Sequence, residues 1–412
     1  MKRRLLATVL IMILLLAGCN AQEPSGNLMD DVERNKVNTN LDVSKEASVT
    51  DFGVRLFQSS LDETKNTLIS PISVLTALAM TANGAEEETL AQMEEVFGLS
   101  VSDLNEFLHA YMEALPEDEK YELHLANAIW FKQDEEFKVN EAFLQTNADY
   151  YEAGIYEAPF DKTTLKEING WVSDKTKERI QNILDEIPED AVMYLVNALA
   201  FDAEWDEIYK ENQIWEDVFT QEDGTMQPAD MMRSEEYQYL EDENATGLIK
   251  YYKDQKYAFA ALLPKEGITV SDYVASLTGE ALHTMLENSE EVKVNAVIPK
   301  FESEFDIEMS QVLIDMGMKN AFYAEAADFS GIGEVPPGYN LVINRVLHKT
   351  FLEVDEKGTE AGAATIVEIA KETSLREPEE MKEVRLDRPF VYMIIDCESN
   401  IPIFMGTVMS VE

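Results

Sequence analysis

Basic side chains are scarce in this chain: 33 Lys and Arg stand against 80 Asp and Glu, for a formal net charge of −47. Such a surface repels phosphate backbones, so no nucleic acid partner is expected, and polyanionic polysaccharides are disfavoured for the same reason. The excess acid is spread along the chain, as in a protein kept soluble and monomeric by its charge. Cysteine is scarcer still, with only Cys19 and Cys397. If Cys19 is used elsewhere no intramolecular disulfide remains, and stability has to come from the core. The four histidines, His109, His124, His283 and His348, are scattered, with no HExxH and no paired ligand spacing. There is no GxSxG elbow and no phosphate-binding glycine loop; Gly331-Ile332-Gly333 is a bare GxG. The run from Asp242 to Gly247 has Lys253 where a calcium loop would close with Glu, so it reads as a solvated turn. No motif supports catalysis, a metal or another cofactor, and the chain is not read as an enzyme.

What is present begins with an address. Lys2, Arg3 and Arg4 precede an apolar run from Leu5 to Leu16 and then Ala17-Gly18-Cys19, the order of a secretory signal and too short for a spanning helix. LAGC resembles the bacterial lipobox, which implies cleavage before Cys19 and lipidation of its thiol. Residues 1–18 are then a lipoprotein signal peptide. Residues 19–47, polar and rich in Asn, Asp, Glu and Ser, read as a lipidated Cys and a flexible tether. The expected address is a secreted, extracellular or cell-envelope bacterial lipoprotein, held to a membrane through its N-terminal lipid.

From residue 48 to residue 412 nothing reads as a linker, so one domain is expected. Val49, Phe52, Leu56 and Phe57 repeat at helical spacing. Ser70-Pro71 supplies an N-cap and a first-turn proline for a second helix, with Gly84 as its stop. Further helices are expected over 87–96, ending at Gly98, and over 165–184. Apolar runs at 123–131, 192–201, 257–263, 292–298, 341–354, 390–395 and 403–409 read as strands, several buried on both faces. Helices early and strands late predict an α+β class.

The most informative stretch is Glu356 to Ile369, EKGTEAGAATIVEI. By parity Thr359, Ala361, Ala363, Thr365, Val367 and Ile369 share one face, and Glu360, Gly362, Ala364, Ile366 and Glu368 the other. Its Ala and Gly are small for an ordinary core strand. They suit a segment that slides between existing strands, and equally a flexible small-residue loop.

The flanks decide between these. INRVLHKTFLEVDEKGTEAGAAT followed by LDRPFVYMIID closely resembles the reactive-loop hinge of the serpin family. NTLISPISVLTALAMTANGAEEETLAQM, LANAIWF, LVNALAFDAEW, IPKFESEFDI, LIDMGMKNAFYAEAADFSGI and IPIFMGTVMS resemble further family blocks in the right order over roughly residues 45–412. The resemblance implies a serpin domain over 48–412: helices around a large central mixed β-sheet, two smaller sheets and an exposed reactive-centre loop.

It also implies a function, the trapping of serine endopeptidases as a suicide substrate; the alternative is a noninhibitory carrier or chaperone. Glu356, Gly358, Thr359, Glu360, Ala361, Gly362, Ala363, Ala364 and Thr365 correspond to the hinge. Ser70, Ser73, Asn197 and His348 match the shutter that controls opening of the central sheet. Trp205 corresponds to the breach where insertion begins, and Lys300 and Glu356 to a salt bridge at the hinge base. The implied partner is a target serine protease in covalent complex, and no glycosaminoglycan is expected because the stretch from Ser100 to Glu122 is acidic. Counting from Glu356 places the reactive bond between Glu372 and Thr373, with Lys371–Glu372 and Thr373–Ser374 on either side; counting back from LDRPF points nearer Leu375 and Arg376. The chain departs from the family pattern at Glu87, where a Gly is usual, at Asp202-Ala203 in place of Lys-Gly, and in the long acidic TSLREPEEMKEV.

Overall fold

A computed structural model describes residues 26–116, 118–151, 153–336, 339–359 and 381–411. Cys19, residues 360–365 of the hinge, Glu372 and Thr373 lie outside the described residues. The class is α+β, as expected, with nine α-helices among the described residues around two large sheets and a two-stranded ribbon.

A six-stranded mixed sheet runs in the order Phe301–Glu308, Arg345–Val354, Gly358–Thr359, Met193–Glu204, Tyr121–Lys132 and Gly154–Ala158. Met193–Phe201 is buried at every position. Its parity explains why: Leu195, Leu199 and Phe201 join the main core, whereas Tyr194, Val196 and Ala198 join a second cluster on the other face. Helix Lys162–Lys175 closes that second face with Ile168, Trp171 and Val172. On the main-core side, helix Pro71–Ala82 is buried along its whole length, capped by Ser70 Oγ accepting from the Ser73 N–H at 3.4 Å.

The two smaller sheets form one continuous nine-stranded sheet. The long strand Met226–Glu241 pairs with Ile214–Thr220 over residues 226–232, with Glu290–Pro299 over 231–239 and with Ala245–Tyr251 over 238–241. Tyr257–Pro264, Phe390–Asp396 and Pro402–Val408 continue the sheet from there as fully buried strands.

Several expectations are corrected. The helix expected over 165–184 ends at Lys175, because Lys177 and Glu178 take positive φ (47° and 65°) and the chain folds back. Asn169 holds the returning segment, accepting from Ile183 N and Leu184 N and donating to Leu184 O, so Ile180 and Leu184 cover their own helix. The strand expected from Leu341 begins at Arg345. Gly84 is no left-handed stop. The helix ends at Asn83 in ordinary helical geometry, and Gly84 is small because a Cβ there would stand 2.2 Å from the Ile332 side chain.

Over residues 26–45 the expected free tether is instead a strap on the body. Leu28 N donates to Ile155 O and Glu157 N to Gly26 O, extending the sheet beyond its outer strand. Further along, Asn35 donates to the Asp149 carboxylate, Arg34 reaches Glu113 and Thr39 meets His109 Nδ1 at 2.7 Å. Leu28, Met29 and Leu41 rest on the main core. The composition is polar, but its few apolar residues fall where the body has apolar surface to cover.

Glu87 opens helix Glu87–Phe97 with φ 49°, in the left-handed region that an L side chain occupies at a cost of about 1 kcal/mol or more. Glu87→Gly is therefore expected to be more stable than Glu87→Ala by about 1 kcal/mol, measured by denaturant unfolding. Equal stabilities would show that the backbone there carries no strain.

Candidate functional site at a parallel seam

Two strands at the centre of the mixed sheet, Met193–Glu204 and Arg345–Val354, pair in parallel over seven rows, from Tyr194 opposite Arg345 to Ala200 opposite Phe351. Beyond Phe351 they diverge. The chain leaving Val354 turns at Asp355, whose carboxylate accepts from the Lys357 and Gly358 N–H groups, and Gly358-Thr359 comes back antiparallel to both strands. Thr359 pairs with Ala203 on one side and Val354 on the other, and it is fully buried. Gly358 is required by close approach, since a Cβ would sit 1.9 Å from Ala203 O. The mouth of the seam therefore already holds the first two residues of a strand lying between its neighbours.

That mouth is braced by aromatic and charged groups. Trp205 donates its indole N–H to Asp355 O at 2.9 Å and its backbone N–H to Lys357 O, while Tyr209 N donates to Glu356 O. The Trp205 ring stacks on Tyr252 at 4.3 Å between centroids, and the Tyr252 hydroxyl lies 2.5 Å from Thr359 Oγ1. Lys300 Nζ meets Glu356 Oε2 at 2.6 Å and holds the Glu356 carboxyl below its usual pKa. Both side chains are about 30% exposed (29% and 32%), so the pair contributes on the order of 1 kcal/mol at most and acts chiefly to position the turn. Lys250 was not singled out from the sequence. It is 2% exposed, bonds Glu236 at 2.8 Å and lies over the rings of Trp205 and Tyr209. Burial opposes its charge, but Tyr209 and Glu236 outweigh burial and raise its pKa.

Midway down the seam the four residues Ser70, Ser73, Asn197 and His348 come together. His348 and Asn197 are register partners, opposite one another on the two parallel strands. Ser70 N donates to His348 Nε2 at 3.0 Å, so Nε2 is the acceptor and Nδ1 carries the proton, which it donates to Asn197 Oδ1. The Asn197 amide donates to Ser73 Oγ and to Asn127 Oδ1. Asn127 was missed, although LANAIWF and LVNALAF carry Asn-Ala at matching places and the two Asn are register partners. One buried network thus joins three strands to the start of helix Pro71–Ala82. Parting the two strands breaks its central bond, and a buried polar group left unpaired costs about 1–3 kcal/mol.

The cluster is built to be neutral. Complete burial holds His348 down to a pKa of about 3. Its unfolded pKa is near 6.5, so its contribution is whole above that value and is lost as pH falls toward 3, about 2 kcal/mol of it by pH 5. Protonation would also turn Nε2 into a second donor facing the Ser70 N–H. Glu46 works the other way: burial and the nearby Asp396 raise its carboxyl to about 7, so stability is gained as pH falls from there toward the ordinary carboxylate range. Comparing variant with parent at each pH separates the two. His348→Gln is expected to be less stable than the parent at pH 7 and to close about 2 kcal/mol of that gap by pH 5, read from urea unfolding. A constant gap would mean that His348 does not titrate on unfolding.

The family model described as serpin (serine protease inhibitor) matches residues 47–411. An uncharacterized serpin-like protein of Thermococcus kodakarensis is 30% identical over 430 residues, covering 99% of each chain. The thermophilic serpin tengpin in its native state superposes with a TM-score of 0.89 at 46% identity, over 93% of this chain and 99% of that one. Human thyroxine-binding globulin, complexed with thyroxine, gives 0.78 at 26% identity over 90% and 99%. A family model spanning nearly all the described residues and a shared fold from end to end place this chain in the serpin family.

Proposed function

We propose that the chain inhibits serine endopeptidases as a suicide substrate, on the strength of one observation: Gly358-Thr359 already lies antiparallel between two strands that pair directly below it. Extending that strand through residues 360–365 would exchange one parallel ladder for two antiparallel ones, which bond slightly better per residue. About a dozen added backbone bonds at about 1 kcal/mol net each supply an ample driving force. A protease serine would attack the reactive bond and form an ester with the new carboxyl terminus, releasing the amine of the following residue. Insertion would then carry the acyl-enzyme along the sheet before water reaches the ester. The hinge, shutter and breach roles given above to their residues belong to this proposal, with Glu372–Thr373 as the reactive bond.

The carrier reading draws on the likeness to thyroxine-binding globulin. What favours inhibition instead is the hinge sequence. Its inward-parity residues Thr359, Ala361, Ala363 and Thr365 are small and uncharged, and a bulky or charged side chain there would have to be buried at a cost of several kcal/mol. The expected result with a panel of serine proteases is a complex that survives SDS, with a C-terminal fragment beginning at Thr373. Thr359 is already buried in the uncleaved protein, so Ala363→Arg is the cleaner hinge variant: it should be cleaved at the parental rate and trap no protease. A variant that still traps with parental stoichiometry would overturn insertion.

The N-terminal address is part of the same proposal, a bacterial lipoprotein outside the cytoplasm held through Cys19. Cys19→Ala is expected in the soluble fraction while the parent partitions with membranes. Equal partitioning would leave an ordinary secretory signal.

A further inference from the structure

A cavity of about 550 Å³ lies behind the central sheet, between strand Tyr121–Lys132, helix Val101–Ala114, helix Lys162–Lys175 and the N-terminal strap. Met112, Leu123, Leu125, Ala153 and Tyr156 give it apolar walls. Its cations are Arg34, from the strap, and Lys175, at the end of its helix. One carboxylate, Glu113, also lines it and is bonded to Arg34. His109 is engaged on both nitrogens, by Thr39 and Arg34. Lys175 has no ion-pair partner among the described residues.

Two buried atoms of lining residues lack a hydrogen-bond partner among the described residues, Trp171 Nε1 and Asn127 Nδ2. Trp171 is 6% exposed. Both atoms are donors, and an unpaired buried donor is a cost the fold bears unless an acceptor arrives. In a chain of net charge −47, a cavity whose lining keeps one cation, Lys175, beyond the Arg34–Glu113 pair, with unpaired donors and apolar walls, runs against the general electrostatic character of the surface. That combination selects an acceptor-bearing anion with an apolar body.

We propose that this cavity is a binding site for a small amphipathic carboxylate, its charge met by Lys175 and by the Trp171 and Asn127 donors, and its apolar part against Leu123, Leu125 and Met112. The site is also wired to the seam. Asn127 accepts from Asn197, which in turn bonds His348 across the two parallel strands. An acceptor on Asn127 Nδ2 would fix the amide that steadies this network, so occupancy resists parting of the strands. Binding stands independently of the inhibitory reading; only the consequence for insertion rests on it.

Octanoate, titrated by calorimetry into the full chain, tests the site directly. Saturable binding at one per chain is expected, at least tenfold weaker for octan-1-ol, which has the same tail and no charge. Lys175→Glu, on an exposed helix surface, should weaken octanoate at least tenfold, and Leu125→Trp, which fills the cavity, should abolish binding. Absence of saturable binding, equal affinity for the alcohol, or octanoate affinity unchanged in Lys175→Glu would each overturn the proposal. The coupling is read reciprocally, by repeating the octanoate titration on His348→Gln, which alters the seam network without touching the cavity: octanoate should bind this variant at least threefold more weakly than the parent. Equal octanoate affinity in parent and His348→Gln would overturn the connection to the seam while the site remains.

Discussion

Parallel strands bond through evenly spaced but slanted hydrogen bonds, and the direct pairing of Arg345–Phe351 with Tyr194–Ala200 leaves the mixed sheet one rearrangement short of an all-antiparallel centre. Everything around the seam bears on that pairing. Helix Pro71–Ala82 and the Ser70, Ser73, Asn127, Asn197 and His348 network fasten it from one face, while the turn at Asp355 and the Trp205–Tyr252 stack hold the returning chain at its mouth. The fastening is polar where the surrounding core is apolar. An apolar core tolerates sliding between similar packings, whereas a buried hydrogen-bond network offers one satisfied arrangement and penalises partial opening. This makes the barrier to opening a matter of a few specific bonds.

The electrostatic design follows the same division. The surface is overwhelmingly acidic, yet the groups that organise the seam are neutral or paired: His348 is uncharged through burial, Lys250 is enclosed by Glu236 and two aromatic rings, and Glu356 is matched by Lys300. Long-range repulsion among exposed carboxylates is screened by salt within about 10 Å at ordinary ionic strength. The buried Lys250–Glu236 pair is screened much less than the part-exposed Lys300–Glu356 pair, so changes in salt should tune the surface and the turn at Glu356 while leaving Lys250 and the His348 network largely untouched.

Much of this architecture is legible in the sequence, for identifiable reasons. Strands buried on both faces announce themselves as apolar runs, as in Met193–Phe201 and Phe390–Asp396. The capped helix at Ser70-Pro71 is equally plain. The long strand Met226–Glu241 is not, because one face is exposed and its alternation is blurred by Met, Gln and Glu. At the site, His348 and Asn197 stand out as polar residues inside apolar strands. Lys250 and Tyr252 do not, since what matters about them is a stacking and enclosure that only the tertiary fold creates. The strap is hidden for the opposite reason: composition averages over residues 20–47 and hides the few apolar side chains that dock.

That strap also fixes a direction. Gly26 bonds beside Glu157, in line with Phe131 and Met193, whereas Thr359 lies ten rows up the same sheet, beside Ala203. At about 3.3 Å per residue the two are about 33 Å apart, toward opposite poles. With a lipid on Cys19, the chain from there to Gly26 spans no more than about 25 Å fully extended. A folded protease of ordinary size is on the order of 40 Å across. A serpin held so closely would present its reactive loop away from the bilayer and receive its captive on the side facing the lipid. If the anchor and the trap proposed above both hold, release of Gly26–Leu28 from the sheet edge would lengthen the leash by about 10 Å, and the edge pairing would then set part of the stand-off between membrane and prey.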